Sequence, residues 1–115
     1  MQKRILIVDD EPSFLEFMKE YFTKTGGAVD TAHDGLEAAR QLDCADYDYV
    51  LFDYNMPGLS GVELVTVIQE KNPRAQRIMI TGYDAIDENL MKRLGAHRFF
   101  TKPVSLETLG DILKE

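Results

Sequence analysis

Short apolar runs of this sequence lead into five residues whose side chains can bind a metal ion or a phosphoryl group. These residues are Asp9, Asp10, Asp53, Thr81 and Lys102. Clustered carboxylates raise one another's pKa unless a cation neutralises them, so three acids in one crevice would require a metal. Oxygen ligands without a second cysteine or a suitably spaced histidine favour a hard ion. Mg²⁺ is preferred where phosphate completes its coordination shell.

Each of these residues also has a purely structural interpretation. An isolated pair of aspartates is more often a helix cap than a metal site, and a lysine near acids often forms only an ion pair. Lys102 before Pro103 also supplies the point charge that a transferring phosphoryl group needs, and Thr81 adds a hydroxyl donor. Together, and in this order, the residues indicate a phosphoryl-binding site.

Strand-like apolar runs alternate with segments of helical periodicity. The runs are 5–8, 28–32, 49–52, 78–81 and 97–101, and the helical segments begin near Pro12, Gly35, Val62, Asp84 or Asp87, and Ser105. Strands that alternate with helices need crossover connections, which predicts a parallel sheet with helices on both faces. The carboxyl ends of parallel strands share one edge, so the reactive residues are expected to meet there.

The composition is that of a small acidic globular protein. The chain has 115 residues, 44% of them hydrophobic, and a net charge of -7, which predicts one domain. This charge repels phosphate backbones and anionic lipid, so direct binding to nucleic acid or to a membrane is not expected. No apolar stretch reaches the length of a signal-peptide core or a transmembrane helix, which favours a cytoplasmic protein. The lone Cys44 is expected to pack at a helix end.

The motifs around the reactive residues extend over nearly the whole chain. They are Val8-Asp9-Asp10-Glu11-Pro12, residues 32–38, Asp53 with Met56-Pro57 and Gly61, Thr81-Gly82, Gly95-Ala96 and residues 99–103. In these motifs the chain resembles the receiver domains of two-component response regulators. The resemblance implies a flavodoxin-like, doubly wound α/β fold with five parallel strands in the order 2-1-3-4-5. It also implies that residues 1–115 form one receiver domain, with no effector domain within this chain.

The resemblance assigns a role to each acid at the strand ends. It implies that Asp53 is the phospho-acceptor and acts as a nucleophile. It further implies that Asp10 binds Mg²⁺ directly, that Asp9 assists through water, and that the backbone carbonyl of Asn55 is a further ligand. The expected cofactor is therefore Mg²⁺, held by Asp9, Asp10, Asp53 and Asn55.

By the same resemblance, Thr81 and Lys102 hold the phosphoryl oxygens. Thr81 is expected to move toward the phosphoryl group while Phe99 turns inward into the space that is vacated. The alternative for Phe99 is a simple core position. The Lys102–Pro103 bond is expected to be cis, which aims the lysine into the crevice.

The resemblance implies a reversible signalling switch in a phosphorelay of bacterial type. Asp53 receives its phosphoryl group from a sensor histidine kinase or a histidine phosphotransfer protein. The face formed by the fourth helix, fifth strand and fifth helix then relays the signal to an effector domain or a downstream protein, and it is also the candidate surface for a homodimer. The chain is not expected to be an enzyme beyond self-phosphorylation from a phosphodonor and slow autodephosphorylation.

Three other functions share parts of the pattern. An aspartyl-phosphate phosphohydrolase typically has a second acid two residues after its nucleophile, where this chain has Asn55. A flavin- or nucleotide-binding module needs a loop that cradles phosphate, whereas Asp9, Asp10 and Glu11 would repel it. A pseudo-receiver that binds partners without phosphorylation commonly lacks the acids, the threonine or the lysine, and this chain has all of them.

Several residues carry narrower expectations. Tyr83 is expected to slow loss of the phosphoryl group, because it cannot orient a hydrolytic water as an acid or amide would. His97 and Arg98 either favour an acidic partner or form a solvated edge. Pro57 and Gly61 are expected to shape the loop after Asp53, where the backbone needs a positive φ. Gly110 weakens the last helix in return for close packing or flexibility.

Overall fold

Five strands and five helices alternate along the chain in the computed structural model, which describes residues 2–54, 59–82 and 88–112. The strands are β1 (Arg4–Val8), β2 (Ala28–Ala32), β3 (Tyr49–Phe52), β4 (Gln76–Thr81) and β5 (Arg98–Thr101). The helices are α1 (Pro12–Lys24), α2 (Gly35–Cys44), α3 (Gly61–Lys71), α4 (Glu88–Leu94) and α5 (Leu106–Ile112). The predicted alternation is confirmed. The expectations for Asn55, Met56-Pro57, Tyr83, Asp84 and Asp87 lie outside the described residues.

The strands form one parallel sheet in the order β2-β1-β3-β4-β5. The flavodoxin-like order that the family resemblance implies is therefore confirmed. Val8 pairs with Ala32 on one side and with Phe52 on the other, so the carboxyl ends of β1, β2 and β3 are level. The chain reverses its direction of winding between β1 and β3, and open α/β sheets bind their ligands outside such a switch point.

Alternate residues of β1 face opposite core layers. Ile5 and Ile7 pack with α1 and α5, whereas Leu6 and Val8 pack with α2, α3 and α4. All four side chains are at most 1% exposed, as expected for a parallel strand covered on both faces. Burial of each such side chain is worth about 1.5–3 kcal/mol. The two layers therefore hold the strand ends, and the side chains that follow them, in fixed positions.

Helices α1, α3 and α5 begin at residues that satisfy or avoid free backbone N–H groups. Ser60 and Glu63 form a reciprocal capping box at α3, and Ser105 Oγ accepts a hydrogen bond from the backbone N–H of Thr108 at α5. Pro12 starts α1 without a side-chain cap, where a missing N–H costs nothing. No helix in the described ranges is long and apolar enough to cross a bilayer.

Two expectations about single residues are wrong. Gly61 does not have a positive φ. It is constrained by space, because a Cβ there would lie 3.0 Å from both the Cα and the carbonyl oxygen of Tyr54. Cys44 is exposed instead of packed. It lies two positions after the buried Leu42, and two residues along an α-helix are more than half a turn apart.

Replacing Gly110 by alanine is expected to stabilise the fold. A Cβ at this position of α5 would lie 3.5 Å from the Tyr21 hydroxyl oxygen, an ordinary van der Waals distance, so close packing does not require the glycine. The free energy of unfolding, measured by urea denaturation, should rise by about 0.5–1 kcal/mol. Gly95→Ala is the control that should lose stability, because Gly95 has φ +88° and a Cβ would lie 2.8 Å from Val65 Cγ1. A less stable Gly110→Ala protein would contradict this prediction.

Candidate functional site

The carboxyl edge of the sheet brings four of the predicted side chains to one crevice. Asp9 follows β1, Asp53 follows β3, Thr81 ends β4 and Lys102 follows β5. Backbone hydrogen bonds extend the strand pairing to these residues. The N–H of Asp53 donates to the Val8 carbonyl at 3.2 Å, and the N–H of Lys102 donates to the Thr81 carbonyl at 2.9 Å. The sheet therefore sets the relative positions of the side chains.

Lys102 pairs with three carboxylates in this crevice. Its Nζ lies 2.7 Å from Asp9 Oδ2, 3.1 Å from Asp53 Oδ2 and 3.1 Å from Glu11 Oε1. The Lys102 side chain is only 16% exposed, and that of Asp9 only 1%. An ammonium has three N–H donors, so the three carboxylates occupy all of them.

Glu11 is a part of the site to which no sequence motif assigns a role. Besides its contact with Lys102, its backbone N–H donates to Asp9 Oδ1 at 2.9 Å. Asp9 is therefore held through both carboxylate oxygens, one by Glu11 and one by Lys102. The only sequence signal was its place beside the two aspartates, which does not reveal a partner 91 positions away.

Burial and ion pairing act in opposite directions on these groups. Burial raises the pKa of Asp9 above its usual value, and the hydrogen bond from Lys102 offsets only part of that rise. Burial alone would lower the pKa of Lys102, but its hydrogen bonds to Asp9, Glu11 and Asp53 outweigh this effect and raise the pKa. Lys102 is therefore charged at physiological pH, and ionised Asp9 gains from a further cation.

Asp9, Asp10 and Asp53 form a cluster suited to a hard divalent cation. Each offers one carboxylate oxygen, and these oxygens lie within 4.8 Å of one another. Asp9 and Asp53 are buried while Asp10 is exposed. A cation there would face both protein and solvent, which suits Mg²⁺ because that ion keeps several of its waters. With Glu11 the crevice holds four carboxylates, of which Lys102 pairs with three, so an added positive charge would relieve their repulsion.

Thr81 and Phe99 face the same side of the sheet. Thr81 is 1% exposed and lies two residues after Met79, which pairs in register with Phe99. Residues two apart on a strand share a face, and both Met79 and Phe99 pack in the layer that contains α4. Phe99 is half-buried, so it is not a fully buried core residue.

An aromatic side chain completes the surroundings of Lys102. The Phe14 ring centroid lies 4.5 Å from Lys102 Nζ, and the Lys102–Pro103 peptide bond is cis. These residues line a groove of about 570 Å³, together with Glu11, Phe17 and Val104. Helical periodicity identifies Phe14 as an apolar residue of α1, but periodicity carries no information about a contact with Lys102.

Comparison with known proteins agrees with this geometry. Residues 5–114 match the family model described as response regulator receiver domain. Transcriptional regulatory protein TcrA of Mycobacterium tuberculosis is 33% identical over 107 residues, 92% of this chain and 42% of that protein. Sporulation initiation phosphotransferase F of Bacillus subtilis is 32% identical over 118 residues, 100% of this chain and 94% of that protein. Response regulator protein TrrA of Thermotoga maritima, solved in complex with Mg²⁺ and BeF, is 35% identical with a TM-score of 0.85, covering 97% of this chain and 96% of that one.

The length of the match differs between these relatives. The chain spans less than half the length of TcrA and of several other regulators that it matches, so the activities of those whole proteins do not transfer to it. The family model, in contrast, covers nearly the whole chain. The chain therefore belongs to the response-regulator receiver domains, the phosphoryl-accepting signalling modules of two-component systems.

Proposed function

We propose that Asp53 accepts a phosphoryl group from a sensor histidine kinase or a histidine phosphotransfer protein. The observation that carries this proposal is the position of Asp53, 8% exposed at the end of β3, with Oδ2 3.1 Å from Lys102 Nζ. It also belongs to the three-acid cluster. A carboxylate in this place can attack an incoming phosphorus atom while nearby positive charge stabilises the transferring group.

In the proposed transfer, a carboxylate oxygen of Asp53 attacks the phosphorus of a phosphohistidine on the donor. The P–N bond breaks as the P–O bond forms, and the donor imidazole leaves with the electron pair and takes up a proton. The product is an acyl phosphate on Asp53. Lys102 Nζ and the Thr81 hydroxyl donate hydrogen bonds to the phosphoryl oxygens, so the chain contributes positioning and electrostatic stabilisation.

Mg²⁺ is the proposed cofactor, with Asp9, Asp10, Asp53 and the backbone carbonyl of Asn55 as its ligands. When bound, it would neutralise charge on the acids and on the incoming phosphoryl group. Exposed Asp10 is free to bind directly on the solvent side. Both oxygens of Asp9 are already engaged, Oδ2 by the Lys102 ammonium at 2.7 Å and Oδ1 by the Glu11 backbone N–H, which supports its proposed role through a bridging water.

The output surface in this proposal is the face formed by α4, β5 and α5. Thr81 moves toward the phosphoryl group, and Phe99, on the same side of the sheet, turns inward. Arg98 Nη1 donates to the Asp111 carbonyl of α5 at 3.3 Å, so β5 and α5 are linked and a shift of Phe99 would affect both. An effector domain, a downstream protein or a second copy of the chain would bind this face, and an acidic partner would complement His97 and Arg98.

The proposed unit is one receiver domain formed by residues 1–115, acting in the cytoplasm. Phosphotransferase F is matched over 94% of its length, whereas TcrA is matched over 42%. Some relatives are therefore little longer than the matched region, whereas others have further sequence outside it, and either arrangement is compatible with the proposed output.

Phosphorylation by acetyl phosphate is expected to require Mg²⁺. The carboxylates of Asp9, Asp10, Glu11 and Asp53 repel an anionic donor, and a divalent cation removes this repulsion. Intact-mass spectrometry should show one added phosphoryl group with Mg²⁺ and none with EDTA. Equal uptake in EDTA would contradict the proposed cofactor.

The same samples distinguish the alternative functions. A phosphohydrolase would release phosphate from a phosphomonoester over many turnovers, and a pseudo-receiver would take up no phosphoryl group under either condition. A switch should hold a single phosphoryl group that is lost slowly.

A further inference from the structure

We propose that Phe14 is a positioning residue that keeps the Lys102 ammonium in the crevice while the lysine exchanges hydrogen-bond partners during phosphoryl transfer. The inference rests on the proposed function of Asp53. The ring centroid of Phe14 lies 4.5 Å from Nζ, a distance at which an aromatic face attracts a cation. Phe14 also packs against the layer formed by α1 and α5, so the core holds the ring in place.

Lys102 has no N–H donor to spare before a phosphoryl group arrives. Asp9, Asp53 and Glu11 lie 2.7, 3.1 and 3.1 Å from Nζ, and an ammonium has three donors. A phosphoryl group on Asp53 needs one of these donors. At least one existing hydrogen bond must therefore be released in the transfer.

Phosphorylation converts the Asp53 carboxylate itself, and of the two carboxylates that remain, Glu11 can be released at the lower cost. Its side chain is 60% exposed, against 1% for Asp9 and 11% for Asp53. Water can replace the lost hydrogen bond at Glu11, whereas Asp9 would be left as a buried charge without its partner. Nζ is therefore expected to turn from Glu11 toward the phosphoryl oxygens.

The contact with Phe14 is suited to holding an ammonium that turns. Attraction to the ring face depends on the charge of the ammonium and not on the direction of one N–H bond, so it persists while the hydrogen bonds change. The apolar ring also limits the access of water on this side of Nζ, which strengthens the remaining electrostatic interactions. An aliphatic side chain would fill much of the same space without attracting the cation.

Phe14→Leu and Phe14→Tyr test this role. The rate of phosphorylation by acetyl phosphate with Mg²⁺ should fall between about 2-fold and 30-fold in Phe14→Leu, the range expected for losing a cation–π contact. Phe14→Tyr keeps the aromatic face and should restore the parent rate. Phe17→Leu is the matched control, since Phe17 lines the same groove and is 41% exposed, and it should leave the rate unchanged. A parent-like rate in Phe14→Leu, or equal losses in both Phe14 variants, would overturn the inference.

An NMR measurement separates this inference from the proposed function. In the parent protein, the ring should shift the Cε protons of Lys102 upfield, and Phe14→Leu should abolish that shift. Normal phosphoryl uptake by the parent without the upfield shift would overturn the inference alone. A parent protein that takes up no phosphoryl group would overturn the proposed function, and the positioning role with it.

Discussion

Lys102→Ala is expected to slow phosphorylation of the chain about 10²- to 10³-fold, the range found when one donor to a developing anionic charge is removed. Nζ lies 3.1 Å from Asp53 Oδ2, on the carboxylate that would carry the phosphoryl group. The raised pKa of Lys102 keeps it charged, so every molecule carries this stabilisation at neutral pH. The rate with acetyl phosphate at fixed Mg²⁺, followed by intact mass, measures the effect.

The control for this variant is Lys102→Arg. It keeps a positive charge but replaces a compact ammonium with a planar guanidinium that cannot make the same three contacts. Its rate should lie between those of the parent and Lys102→Ala. A parent-like rate in Lys102→Ala would show that Lys102 does not stabilise the transferring group.

Lys102→Ala should also lower the free energy of unfolding at neutral pH, by about 1–3 kcal/mol, because it leaves two buried carboxylates without their cation. The pKa of Asp9 is already raised by burial, and removing the influence of Lys102 raises it further. An acid whose pKa is raised by folding stabilises the fold while it is protonated, at low pH. This stabilisation is lost as the pH rises through the pKa that the acid has in the folded protein. The deficit relative to the parent should therefore be largest at neutral pH and shrink in acid.

The strand ends could be predicted from the sequence because local signals and topology agree. The segment 28–32 was predicted as a strand with the bounds that the structure has. The apolar run before Asp53 ends where β3 ends. Once alternation with helices required a parallel sheet, Asp9, Asp53, Thr81 and Lys102 had to share one edge.

Features that depend on contacts between distant segments could not be predicted. The constraint on Gly61 comes from the backbone of Tyr54, which no pattern near Gly61 reveals. Glu11 and Phe14 were recognised only as residues beside an acidic motif and on a helix. Their contacts with Lys102 depend on how α1 lies against the end of β5. Cys44 was expected to be buried from its residue type, but the helix turns this position outward.

The charges of the crevice explain how one site can serve both states of a switch. Without a phosphoryl group, Lys102 balances part of the negative charge of Asp9, Asp53 and Glu11. With one, the same ammonium would stabilise the phosphoryl oxygens, and exposed Glu11 would return to solvent. The proposed change in Lys102 partners thus accompanies the proposed movement of Thr81 and Phe99.

The most direct test of the central claim is to locate the phosphoryl group. After phosphorylation by acetyl phosphate with Mg²⁺, borohydride reduction converts an aspartyl phosphate to homoserine, which fragment mass spectra assign to one residue. The account predicts homoserine at position 53 and no phosphoryl uptake by Asp53→Asn, because an amide is not a comparable nucleophile. Homoserine at position 9 or 10, or parent-like uptake by folded Asp53→Asn, would contradict it.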